Sequence, residues 1–97
     1  MASSDYYEGQ RALIEAEFRL LGVPTDPTII QVISRSPSGS VSVLTYPAVE
    51  LTRRDTGLFE ASVLLGDSGQ WHFRVIGEGV VDAVTEINLD VLQSNVV

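Results

Sequence analysis

The stretch Gly69-Gln70-Trp71-His72-Phe73-Arg74-Val75 decides the fold. Trp71, Phe73 and Val75 fall on one side of an extended chain, and Gln70, His72 and Arg74 fall on the other. Successive side chains of a strand point to opposite faces, so this segment has one apolar face to bury and one polar face for water. That is the pattern of an antiparallel sheet wetted on one side. The lone Trp71 shares its face with Phe73 and Val75, which places it at the centre of a core.

The same period runs outward in both directions. Ile30, Val32 and Ser34 oppose Ile29, Gln31 and Ile33, while Val41, Val43 and Thr45 oppose Ser42, Leu44 and Tyr46. Phe59, Ala61, Val63 and Leu65 share a side with Glu60 and Ser62 turned away, and Ile87, Leu89 and Val91 oppose Glu86, Asn88 and Asp90. Turn-forming clusters separate these pieces at 22–27, 36–39, 46–47, 55–57, 66–69 and 77–79. Short alternating segments at even spacing predict a sandwich or barrel.

Arg11 to Leu21 fits two templates. Its Ala, Leu, Glu and Arg are good helix formers, and Leu13, Ala16 and Leu20 would make a helical stripe. Ala12, Ile14, Ala16, Phe18 and Leu20 also alternate against Arg11, Glu15, Glu17 and Arg19. The strand is preferred, because a helix would leave one sheet short of an edge and because pairing overrides propensity. With a weak strand near Val49–Arg53 the count reaches about seven, that of an immunoglobulin-type antiparallel sandwich. The expected boundaries are a flexible arm over 1–9, the sandwich over 10–92 and a tail over 93–97. Tyr6 and Tyr7 in the first arm, and Val96 and Val97 in the second, are the candidate anchors for a partner.

Bulk properties narrow the function. Ninety-seven residues make one domain. There is no cysteine, so disulfides and thiolate metal sites are excluded. Lysine is absent and all six cations are arginines, against thirteen carboxylates, for a net charge of −7. Phosphate backbones and anionic membranes attract clustered cations, and only Arg53–Arg54 form a pair, so neither nucleic acid nor membrane is an expected partner. No apolar run approaches the roughly 20 residues that cross a bilayer. The polar, acidic start, without a basic or apolar stretch, gives the expectation of a protein that stays in the cytoplasm where it is made.

Asp55-Thr56-Gly57 invites comparison with dimeric aspartic proteases, in which paired carboxylates share one proton. That chemistry wants an aspartate sheltered by apolar neighbours, whereas Arg53 and Arg54 precede this one, and Leu64-Leu65-Gly66 follows too soon to serve as the late apolar-apolar-Gly segment. A tight turn is the better reading, with Asp55 capping the bend and Gly57 supplying a permissive backbone. His72 is the only histidine and is expected on the outer face without catalytic or metal partners. Asp67-Ser68-Gly69 has too few oxygens for calcium and reads as a hairpin turn. Trp71 and Phe73 could form a sugar-stacking platform, but burial in the core is favoured. No catalytic residue, cofactor or metal is expected.

Three stretches in order resemble a known group. Gly22-Val-Pro-Thr-Asp-Pro-Thr28 leads into a strand ending at Ser36-Pro-Ser-Gly39, then Arg54-Asp-Thr-Gly-Leu-Phe59 enters a strand, and Gly69-Gln-Trp-His-Phe-Arg-Val75 runs into Gly77-Glu-Gly79. This order resembles small immunoglobulin-like structural proteins of tailed bacteriophages and prophages. There a Pro-x-Asp-Pro turn, a Pro-Asp-Gly hairpin, an Asp-x-Thr-Gly-x-Tyr corner and a Gly-x-Trp strand recur. The match covers Gly22 to Ile87; Ser38 and Phe59 stand where Asp and Tyr are commoner. The resemblance implies a virion component, a capsid decoration protein or a piece of the neck or tail. It would contact other virion proteins, such as the major capsid protein, and stand as an oligomer or symmetric array. The alternative from another class is a carbohydrate- or cell-surface-binding module.

Overall fold

The computed structural model describes residues 6–93. Its strands are β1 Tyr6–Tyr7, β2 Gln10–Glu17, β3 Arg19–Leu20, β4 Val23–Pro24, β5 Ile29–Arg35, β6 Val41–Thr45, β7 Leu51–Asp55, β8 Leu58–Leu65, β9 Gly69–Glu78 and β10 Ala83–Leu92. Three of these are two residues long, which leaves seven of substantial length. The larger sheet has the order β1-β10-β9-β5-β6, the smaller β2-β8-β7, and β3-β4 stands as a separate hairpin. All pairings are antiparallel except β1 with β10.

Alternation places the core between the sheets. Ile30, Val32, Trp71, Phe73 and Val75 from the larger sheet are buried against Ala12, Ile14, Leu51, Phe59, Ala61 and Leu65 from the smaller. Fully burying side chains of this kind contributes roughly 1.5–3 kcal/mol apiece, so the two facing layers hold the sandwich shut. Tyr46 closes one side of it by packing edge-on to Phe59, with ring centroids 5.2 Å apart. The Arg11–Leu21 ambiguity resolves as strand: Gln10–Glu17 pairs with β8 along its whole length. Burial of Ala12 and Ile14 between the sheets overrides the helix propensity of their neighbours.

Four local expectations need correction. The alternation expected to continue through Leu20 breaks at Phe18, whose carbonyl accepts the Thr25 N–H, and the chain turns back as the β3-β4 hairpin with Leu20 exposed. The Asp67-Ser68-Gly69 segment is not a hairpin but a crossing between sheets, since β8 and β9 belong to different ones. The indole N–H of Trp71 donates to the Asp67 carbonyl at 2.9 Å and fixes that corner. The turn expected at 77–79 starts later, because Gly77 still lies in β9. A Cβ at Gly77 would sit 2.6 Å from the Phe18 ring, so glycine there serves close packing rather than reversal. Finally, the described part of the expected arm is tied down. Tyr6 and Tyr7 pair in parallel with Val91 and Leu92, and the Gly9 N–H donates to the Leu65 carbonyl as the chain passes to the smaller sheet.

The β3-β4 tip breaks turn chemistry. Leu21 (φ 53°) and Gly22 (φ 82°) both have positive φ, the geometry of a two-residue type I′ turn that favours Asn-Gly. Leu21 is 96% exposed, so no burial offsets its left-handed backbone, which costs about 1 kcal/mol. Leu21→Asn should therefore raise the melting temperature, by about 4–8 °C for each kcal/mol recovered in a domain of this size. Trp71→Ala should act in the opposite sense. Trp71 is 7% exposed, and its truncation should cost roughly 3–5 kcal/mol, enough to unfold much of a domain with typical stability. Thermal and urea denaturation followed by circular dichroism read both; an unchanged midpoint for Trp71→Ala would remove that residue from the core.

Candidate functional site

Each candidate residue that falls within the described residues has a definite place. Asp55, exposed at the end of β7, accepts the Thr56 N–H at 2.8 Å through Oδ1. Gly57 follows with φ 71°, and a Cβ there would meet the Phe18 carbonyl oxygen at 2.5 Å, so only glycine fits. The triplet is a pinned turn. What pins it is Asp26, from the Pro-Thr-Asp-Pro segment. Its Oδ1 accepts the Gly57 N–H at 2.7 Å, and its Oδ2 accepts from Arg53 Nε at 3.0 Å. Arg53 Nη2 in turn donates to Thr56 Oγ1 at 3.0 Å. Asp26 thus joins the entry to β5 to the turn between β7 and β8. Sequence reading flagged 22–27 as a turn, but a contact across thirty-one positions leaves no local signature.

His72 lies on the outer face, with Nδ1 2.6 Å from Asn88 Oδ1 on the paired position of β10. Among the described residues no group of three His, Cys, Asp or Glu side chains is arranged to hold a metal. Trp71 stacks on Phe73 inside the sandwich, ring centroids 6.2 Å apart, so it offers no platform to a sugar ring. Tyr6 turns half-buried toward the core while Tyr7 stays exposed, so of the two tyrosines Tyr7 is the one that faces solvent. Val96 and Val97 lie outside the described residues.

The feature that remains is an open side of the sandwich. β9 is hydrogen-bonded on both edges, but β10 has β9 on one edge and, among the described residues, only the two-residue β1 on the other. From Ala83 to Asp90 its outer edge pairs with no described strand. Beneath that edge runs a groove between the sheets, lined by Glu15, Ala16, Glu17, Phe18, Val75 and Ala83 through Ile87 except Glu86. Ala83 and Thr85 alternate toward the interior yet are exposed. On the opposite side the chain itself crosses from β6 to β7, with the Tyr46 N–H on the Ile30 carbonyl of the larger sheet and the Glu50 carbonyl on the Ser62 N–H of the smaller. A second groove opens there between Ser34 and Leu44 on one sheet and Ser62 and Val63 on the other.

No family model matches the sequence, and no curated protein does. Among solved structures the chain is similar to the filamin domain of Lin-41, with a TM-score of 0.71 and 18% identity over 92% of this chain and 83% of that one. The likeness is one of fold, and with the strand content it makes the chain an all-β, immunoglobulin-like sandwich.

The turn reading of Asp55 has a measurable consequence. Asp26→Ala removes the acceptor of a buried-glycine N–H and should destabilise by about 1–3 kcal/mol. Asp55→Asn keeps an oxygen for the Thr56 N–H and should leave stability within about 0.5 kcal/mol, as surface changes usually do. Urea midpoints of the two variants test this ranking, and the reverse order would contradict it.

Proposed function

We propose that this chain is a non-enzymatic structural module of a tailed-phage particle, made in the host cytoplasm and acting by protein–protein contact. The observation that carries this reading is the open side of the sandwich, where an eight-residue edge, Ala83–Asp90, and the groove below it face outward. An unpaired edge is a template for another chain's backbone, and a groove beneath it gives side chains somewhere to go. The ordered turns shared with virion immunoglobulin-like proteins support the setting, and the compact single sandwich suits a component present in many copies. The candidate reactive groups support it as well: Asp55 is engaged in a turn and His72 in a cross-strand contact.

Particles assembled with and without the gene for this chain decide the matter. Mass spectrometry of purified particles should find the chain in fixed ratio to a major structural protein, and negative-stain images should lose a surface, neck or tail feature when it is deleted. Purified particles free of the chain, with unaltered images, would overturn the role.

A further inference from the structure

We infer that the outer edge of β10 takes up an extended, basic strand from a partner protein, with alternate side chains of that strand entering the groove between β10 and β2. The inference rests on the protein-contact role proposed above and names how the contact is made.

The backbone sets the mode. The Leu92 carbonyl accepts the Glu8 N–H, which shows that Leu92 directs its backbone groups to the outer edge. Strand residues alternate in this respect, and β10 keeps one unbroken register with β9 from Ala83↔Gly77 to Val91↔Gly69. Val84, Glu86 and Asn88 therefore direct N–H and C=O to the same edge, where no described strand meets them. Only another extended backbone can pair such a row.

The groove sets the side-chain pattern. Its floor and inner wall are apolar, from Ala16, Phe18, Val75 and Ile87. The inward residues Ala83 and Thr85 are small and exposed, so space under the edge is unfilled. A strand laid there would turn every second side chain onto this floor, and those side chains should be apolar and of moderate size.

Charge selects the partner. After Arg74 the sequence contains no arginine or lysine, and Glu78, Asp82, Glu86 and Asp90 recur at every fourth position. Glu86 and Asp90 stand on β10 itself, while Glu15 and Glu17 line the groove from β2. Arg19 reaches Glu17 at 3.0 Å, and Arg74 lies 4.0 Å from Glu86. Glu15 has no cation within ion-pair distance among the described residues. A second copy laid along β10 would set these carboxylates against their own kind, which like-charge pairing across strands disfavours. A strand carrying lysine or arginine between apolar residues meets the opposite sign.

The probe is an end-capped eight-residue peptide of alternating lysine and valine, added to the full chain at about physiological salt, where contacts beyond roughly 8 Å are screened. Its control is the same peptide N-methylated at alternate residues, which keeps charge and apolar groups but cannot pair an edge. Amide NMR should show shifts confined to β10, β2 and the groove, with slowed exchange at Val84, Glu86 and Asn88, for the first peptide alone. Val84→Pro removes one outward N–H and should weaken binding about tenfold or more, about 1.4 kcal/mol, while the melting curve stays close to that of the parent. Glu86→Arg should weaken it in the same direction through charge. Equal shifts from both peptides, shifts centred on β6, or no binding at millimolar peptide would each overturn the inference. Particle composition is read separately, so a bound peptide with no chain in particles would reject only the phage setting.

Discussion

Strand β9 is the member on which the fold depends, because it is the central strand of the larger sheet and pairs without a break with β10 on one edge and β5 on the other. Its side chains divide strictly, with Trp71, Phe73 and Val75 inward and His72 and Arg74 outward. A slip of one residue against β5 or β10 would exchange those sets, bringing His72 and Arg74 into the core. Burying an unpaired guanidinium costs far more than any pairing gained, so one register is specified. The register of β9 then dictates which residues of β5 and β10 face the smaller sheet. Val32 lies opposite Val75 on one edge and Ile87 opposite Phe73 on the other.

The open side follows from where the smaller sheet stops. β2 ends at Glu17, since Phe18 turns its ring against Gly77 and Phe59, and its carbonyl starts the β3-β4 reversal. β10 begins at Ala83, and its first inward residues, Ala83 and Thr85, share a groove with Glu15 to Phe18 at that end of β2 instead of packing closed against it. Burial along β10 accordingly rises from the exposed Ala83 and Thr85, through the half-buried Ile87 and Leu89, to Val91. One strand thus serves as edge at one end and as core wall at the other. A uniform sandwich would not separate those roles within ten residues.

Most of the fold was legible in the sequence for a simple physical reason. A period of two in polarity is a property of single strands, and Ile30–Ser34, Phe59–Leu65 and Trp71–Val75 each carry it without reference to anything distant. The turns were legible where Gly, Pro, Asp or Ser supplies an unusual backbone angle, as at Ser36–Gly39, where the Gly39 N–H returns to the Ser36 carbonyl. What escaped was relational. Asp26 gains its meaning from Gly57 and Arg53, far along the chain. Gly77 resembled a turn because glycine has two uses, reversal and close approach, and the Phe18 ring that selects the second is invisible locally. The candidate edge was legible least of all. β10 reads as an ordinary alternating strand, and only the sheet order leaves one side of it without a full-length neighbour among the described residues.

Charge connects that edge to the behaviour of the free molecule. A row of unpaired backbone groups above an apolar groove invites association between identical chains, and natural sheets blunt such edges with charge. Here the charges on the edge strand itself are all of one sign, since Glu86 and Asp90 are the only charged residues of β10 and the nearest cation, Arg74, stands behind them on β9. Protection by mixed charges would repel every strand to a similar degree. Protection by carboxylates alone repels a second copy and admits a basic strand. The acidity that disfavours edge-to-edge pairing of two β10 strands and the preference proposed for the partner therefore come from the same side chains, and neither can be altered at those positions without altering the other.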